Sequence, residues 1–217
     1  MTLVGDVAQT GARSGAGSWA EVLAPWVAAR WRREVLTVNY RTPAEIMAVA
    51  ADVLAVIDPA QTPPTSVREA GVAPRAVAAG PEDLIEHVVA ETRAARADVV
   101  DAEGAGRVAV LAPAALVADL AGRVGSGTVG SGAGGPATDE RGAVDLEVAV
   151  VVSTVSDAKG LEFDAVVVAD PVGIVADSPR GLNDLYVALT RATRSLVVVH
   201  PGPLPTVLTR LADPDTE

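Results

Sequence analysis

At 217 residues and a formal net charge of -11, the chain lacks the basic surplus with which an autonomous duplex-binding domain neutralises phosphate, although a local positive groove stays open to it and acidity also reads simply as solubility. The absence of cysteine removes disulfides and thiolate metal sites and suits a cytoplasmic location. No apolar run reaches the roughly 18 residues that mark a membrane span. Aromatic residues are only 3% of the chain, so the core of a single domain must rest on Val, Leu, Ala and Ile.

Residues 2–4 predict a short apolar strand ended by Gly5 and Asp6, and the opening MTLVGDVAQT carries no basic segment of a signal peptide. Residues 18–29 place Trp19, Val22, Leu23, Trp26 and Val27 at helical spacing, with Pro25 weakening the interior. Residues 35–38 read as a second strand. A helix start follows, in which Thr42 caps, Pro43 takes the first helical position and Glu45 completes a capping box. Ile46, Val49, Ala50, Val53 and Ile57 then supply a buried stripe that Asp58 and Pro59 stop. Residues 61–81 are a connector with a short strand at 76–78. A helix over 82–97, a strand over 107–111 and a helix from Pro113 to Leu120 complete one strand–helix unit.

Residues 122–142 are rich in glycine and offer little to bury, which predicts a flexible surface loop. They are a poor phosphate cradle, because no GK[ST] ending and no helix follows them. Residues 148–154 and 165–169 are apolar without polar alternation, as central parallel strands covered on both faces require. Ser178 caps and Pro179 begins a helix that carries Leu182, Leu185, Tyr186 and Leu189. A last strand at 196–199 and a short helix at 204–211 close the chain. The alternation of strands and helices predicts an α/β fold with a mostly parallel sheet.

Several residues carry candidate chemistry. Arg191 ends the predicted helix, from where its planar guanidinium can reach phosphate oxygens; a surface arginine favourable to the helix dipole is the plainer alternative. Arg41 falls between a strand and a helix start, the connection at which open α/β sheets place ligands, or it pairs with Glu45 four residues on. Gly160, beside Lys159, permits a turn between two strands. Glu162 can accept hydrogen bonds from a ribose or cap a turn. Ser153 and Thr154 end a strand, where hydroxyls can meet a nucleic-acid phosphate. The Gln9 amide can orient a water or touch a terminal phosphate. No G-x-S-x-G motif is present, His87 and His200 lack evident partners, and the carboxylates form no metal-binding pattern.

Four ordered segments make the chain resemble the C-terminal motor region of superfamily 1 helicases of the UvrD-like group. TLVGDVAQ (2–9) resembles motif III, VNYRTP (38–43) motif IV, STVSDAKGLEFD (153–164) motif V and DLYVALTRAT (184–193) motif VI. The resemblance implies a RecA-like domain over residues 1–217, the second lobe of a P-loop motor, with residues 1–30 a remnant leading out of a missing N-terminal RecA-like lobe. It implies that Gln9 couples the terminal phosphate to the nucleic-acid track and that Arg41 and Arg191 act as arginine fingers. Glu162 would hold the ribose, Gly160 would shape the motif V turn and Tyr40 would stack near the base. Ser153, Thr154 and Lys159 would lie along the nucleic-acid path. ATP with Mg²⁺ would bind only in the complete two-lobe protein, since no GxxxxGK[ST] loop or Mg²⁺-binding acidic motif occurs here, and the chain alone should be inactive. The chain is expected to be a fragment of, or a truncated start within, a longer motor.

Ser156 stands where many helicases of this group have histidine in a TxH segment, and no stretch is long enough for the accessory domain often inserted in the second lobe. Both features, with the NYRTP and KGLEFD segments, are similar to the HelD branch, which releases RNA polymerase from stalled complexes. The partners implied are single-stranded DNA or RNA polymerase, and no membrane. A polymerase-binding module and a DNA-repair helicase fragment are the alternative readings.

Overall fold

Apolar runs that lack polar alternation become the interior of one sheet. The computed structural model describes residues 2–10, 18–28, 30–101, 105–124, 127–129 and 149–211. A 3-10 turn (Val7–Gln9) and helix α1 (Trp19–Val27) precede β1 (Val38–Asn39), α2 (Ala44–Ile57), β2 (Thr65–Ser66), β3 (Arg75–Ala78) and α3 (Leu84–Val99). Then follow β4 (Val108–Leu111), α4 (Ala114–Val124), β5 (Gly127–Val129), β6 (Val150–Ser153), β7 (Phe163–Ala169), α5 (Pro171–Ala176), α6 (Gly181–Leu189), β8 (Ala192–His200) and a closing 3-10 helix (Thr206–Leu211).

The main sheet has six strands in the order β3-β8-β7-β4-β6-β5, and every pairing is parallel. Strands β4 and β6 are buried at every position. Successive side chains of a strand point to opposite faces, and the core divides accordingly. Ala109, Leu111, Val166, Val168, Leu196 and Val198 pack with α2 and α6, whereas Val108, Val110, Val167, Val197 and Val199 pack with α3 and α4. This is an α/β fold with a parallel sheet covered on both faces by helices, the architecture expected of a RecA-like lobe. Strands β1 and β2 form a separate two-stranded parallel ladder.

Several local expectations are corrected. Residues 2–4 are exposed and form no strand; the ordered feature is the 3-10 turn, capped by Asp6. Ser18 caps α1 and Pro25 lies inside it without dividing it, but no residue of α1 is buried, so its apolar spacing finds no core here. The second strand starts only at Val38. Thr42 does not cap α2, and no capping box forms, because Pro43 occupies the N-cap without a side-chain hydrogen bond. Glu45 instead accepts hydrogen bonds from the N–H groups of Ala70 (3.1 Å) and Gly71 (2.9 Å). Burial draws its carboxyl upward, but those bonds and one from its own N–H outweigh this and hold it below the ordinary value.

The helix expected from Ser178 begins at Gly181. The Ser178 hydroxyl donates to Asp184 (2.6 Å) and accepts from the Arg180 N–H (3.2 Å), which turns the chain before the helix. Helix α5 was not foreseen; Asp170, in the left-handed region at φ 51, caps it and Pro171 starts it. Within 122–142, residues 122–124 finish α4 and Gly127–Val129 forms the edge strand β5; the rest of that segment lies outside the described residues.

Candidate functional site at the amino edge of the sheet

Arg191 sits between the end of α6 and the start of β8. Its Nε donates to the Val187 carbonyl (3.3 Å), its Nη1 to the Leu161 carbonyl (3.1 Å) and its Nη2 to Gln9 Oε1 (3.0 Å). Only 8% of the residue is exposed. Loss of hydration therefore lowers its pKa from the ordinary arginine value, and nearby Arg41 lowers it further, while Glu162, Tyr186 and Asp6 act in the opposite direction. The backbone is tied as well, since the Arg191 carbonyl accepts from the Phe163 N–H at 3.0 Å.

Gln9 is held from its other end. Its Nε2 donates to Asp6 (3.0 Å), and Asp6 also accepts from the Ala8 N–H (2.9 Å). Asn183 of α6 donates to the Ala8 carbonyl (2.8 Å), and Ala8 is buried against the core. The 3-10 turn is thus docked on the helix that leads to Arg191. Tyr186, on the same helix, has its phenol pushed up to about 12 by desolvation first and by the Asp6 charge second, with Arg191 opposing. Sequence spacing placed Tyr186 in an apolar stripe; its membership of the charged cluster is a tertiary fact. The Asp6 to Gln9 interval of three residues, a capping distance, is the signal that could have joined Asp6 to the site.

Arg41 reaches the cluster from the other side. Asn39 Oδ1 accepts from the Arg41 N–H (2.9 Å) and the Thr42 N–H (3.2 Å), a turn that fixes the Arg41 backbone. Its side chain is 73% exposed and forms an ion pair with Glu162. The alternative pairing with Glu45 does not occur, as Glu45 faces the 70–71 turn. Arg41 does follow a strand, but β1 belongs to the small ladder, so the carboxyl-edge rule for open sheets does not place it. Neighbouring Tyr40 is 71% exposed. Gly160 adopts φ +81, where a Cβ would meet nothing within 4 Å, so its glycine character serves backbone conformation rather than space.

Glu162 and Arg191 immediately precede β7 and β8. The cluster of Gln9, Arg41, Glu162 and Arg191 therefore occupies the amino edge of the sheet, opposite the carboxyl edge where an open parallel sheet shelters its own ligands.

The three residues expected along a nucleic-acid path do not gather into a cationic groove. Ser153 is fully buried, and its hydroxyl donates to the Thr154 carbonyl (2.8 Å). Thr154 donates to Asp157 (2.6 Å). The Lys159 ammonium lies 3.4 Å from Asp184. Among the described residues no group of three or more His, Cys, Asp or Glu could hold a metal ion, and no helix is long and apolar enough to cross a membrane.

The segment from just before β6 to the end of β8 holds both KGLEF and LYVALTRAT. Residues 149–199 match the family model of the UvrD-like helicase C-terminal domain. The solved C-terminal domain of a possible DNA helicase from Lactobacillus plantarum WCFS1 is similar in fold, with a TM-score of 0.54 at 21% identity over 80% of this chain and 94% of that one. The shared fold thus extends well beyond the segment matched by the family model. No curated protein sequence matches the chain.

Proposed function

We propose that this domain is the second motor lobe of an ATP-dependent helicase-like protein, supplying γ-phosphate-sensing arginines to a nucleotide shared with another lobe. The observation that carries the reading is the convergence of Gln9, Arg41, Glu162 and Arg191 from four separate segments onto one edge of the sheet. Two guanidiniums, one withdrawn from water and one exposed, would offer converging donors to an anion that displaces Glu162 from Arg41. The residues present suit one end of a triphosphate. Arg41 and Arg191 would meet its terminal phosphate, Glu162 its ribose hydroxyls, and Tyr40 the vicinity of the base. ATP supplies the energy of phosphoryl transfer; the cradle for its β- and γ-phosphates and the carboxylates for Mg²⁺ would come from an N-terminal RecA-like lobe. By this reading the domain hydrolyses nothing on its own, and the motor works in the cytoplasm.

The track is single-stranded DNA or RNA polymerase. The burial of Ser153, the engagement of Lys159 by Asp184 and the net charge of -11 favour a polymerase-docking role, as in the HelD branch, over a strongly DNA-gripping lobe. Greater stimulation of ATP turnover by RNA polymerase than by single-stranded DNA would support that choice; robust unwinding would support the DNA-repair helicase instead.

The sensing role is tested by nucleotide affinity in a protein that joins this lobe to a P-loop lobe. Arg191→Ala and Arg41→Ala are each expected to erase most of the preference for ATP over ADP. A preference unchanged in both variants would overturn the assignment.

A further inference from the structure

All but one of the 17 basic residues of this chain are arginines; Lys159 is the sole lysine. Its ammonium group lies 3.4 Å from Asp184 Oδ1. That oxygen is fully enclosed and has no hydrogen-bond partner of good geometry, so Lys159 is the charge that compensates it, while Asp184 Oδ2 takes the Ser178 hydroxyl at 2.6 Å. Asp184 is 8% exposed and stands in the first turn of α6. A carboxylate so enclosed is costly without a nearby cation. A compact ammonium on a flexible stem fills such a place where a planar guanidinium fork would need more room and more acceptors.

The surrounding connections give the pair a geometric consequence. Lys159 reaches the start of α6, the Leu161 carbonyl accepts from Arg191 just past the end of the same helix, and the Phe163 N–H donates to the Arg191 carbonyl. Alternate residues of one short segment are therefore fastened to both ends of α6. Gly160, at φ +81, lies between the first two anchors and lets the chain turn from one to the next.

We propose that Lys159 is a positioning residue rather than a nucleic-acid contact: with Asp184 it staples the 159–163 segment to α6 and so sets the Leu161 carbonyl, and through it the Arg191 guanidinium, in place. The functional meaning of the staple rests on the sensing role of Arg191, but its existence does not.

The test uses the whole chain without nucleotide. In protein labelled with ¹⁵N at the lysine side chain, the single ammonium signal is expected to be protected from rapid hydrogen exchange at neutral pH and to stay unmoved when a single-stranded oligonucleotide is added. In protein labelled at arginine side chains, the Arg191 Nε–H signal, assigned by its loss in Arg191→Lys, is expected to shift in Asp184→Asn and in Lys159→Met. The double variant should shift it no further than either single one. An Arg191 signal that holds still in both single variants would reduce the pair to a local stabilising contact and overturn the proposal, whatever happens to the melting temperature. An unprotected ammonium in the wild-type chain, or one displaced by the oligonucleotide, would overturn it without any variant. Because no nucleotide enters these measurements, a failed staple is distinguishable from a failed phosphate-sensing role.

Discussion

Arg191 uses three of its N–H directions on acceptors of its own lobe, which leaves a guanidinium already oriented before any anion arrives. Preorganisation of this kind avoids reorienting the group when charge develops next to it. The same burial acts on its neighbour Tyr186. With a folded-state pKa of about 12 against an ordinary 10.0, the folded chain keeps a proton that the unfolded chain loses in that interval. The folded state then binds more protons, so stability falls as pH rises from 10 toward 12, by about 2–3 kcal/mol in all. Tyr186→Phe removes this contribution, and urea unfolding below pH 10 and near pH 12 should show a shallower alkaline loss in the variant; parallel losses would contradict the buried phenol. At this scale the sequence singled out Arg41 and Arg191 but not the side chains and carbonyls they meet. Nothing local distinguishes Glu45 from Glu162 as the carboxylate for Arg41, since the choice depends on where the 70–71 turn folds back.

At the scale of elements, β4, β6, β7 and β8 were legible because each contains a run of Val, Ala or Leu without polar alternation, for which a parallel interior strand is the economical solution. Helix α2 was legible from its buried stripe and its stop at Asp58. Strand β5 was not, because a glycine-rich edge strand takes its identity from the neighbour it pairs with, here Val151–Ser153. Helix starts were misplaced where tertiary contacts took the capping side chains elsewhere, as with Glu45 and Ser178. The Glu45 contact yields a prediction. Since its pKa is depressed in the folded state, its stabilisation is present above the ordinary value of 4.5 and is lost as pH falls below it. Wild type should exceed Glu45→Gln in stability by about 1 kcal/mol at neutral pH, and the gap should close on acidification; a gap independent of pH would contradict the charged contact. The α5–α6 junction yields another. A Cβ at Gly181 would lie 1.9 Å from the Val175 carbonyl oxygen, so Gly181→Ala must displace backbone and should cost about 2 kcal/mol or more in chemical denaturation. A neutral substitution would show that the junction is looser than described.

At the scale of the molecule, the position of the charged cluster matters more than its composition. The carboxyl edge of the sheet, where a self-sufficient nucleotide-binding fold gathers its ligand, holds none of the four convergent residues. They lie at the opposite edge, where Arg41 is the exposed member and Gln9 comes from the 3-10 turn near the start of the described chain. Under the proposed motor reading, such an edge would complete a crevice whose phosphate cradle another lobe supplies. Closure of two lobes around a nucleotide, followed by release on hydrolysis, would turn this contact into motion. The most direct measurement is single-turnover ATP hydrolysis by a two-lobe protein carrying this domain, with Arg191 intact or replaced by alanine. The account predicts a loss on the order of 10³-fold or more in the variant, with the far-ultraviolet circular dichroism of the domain retained. Hydrolysis at the wild-type rate by the Arg191→Ala protein would contradict it.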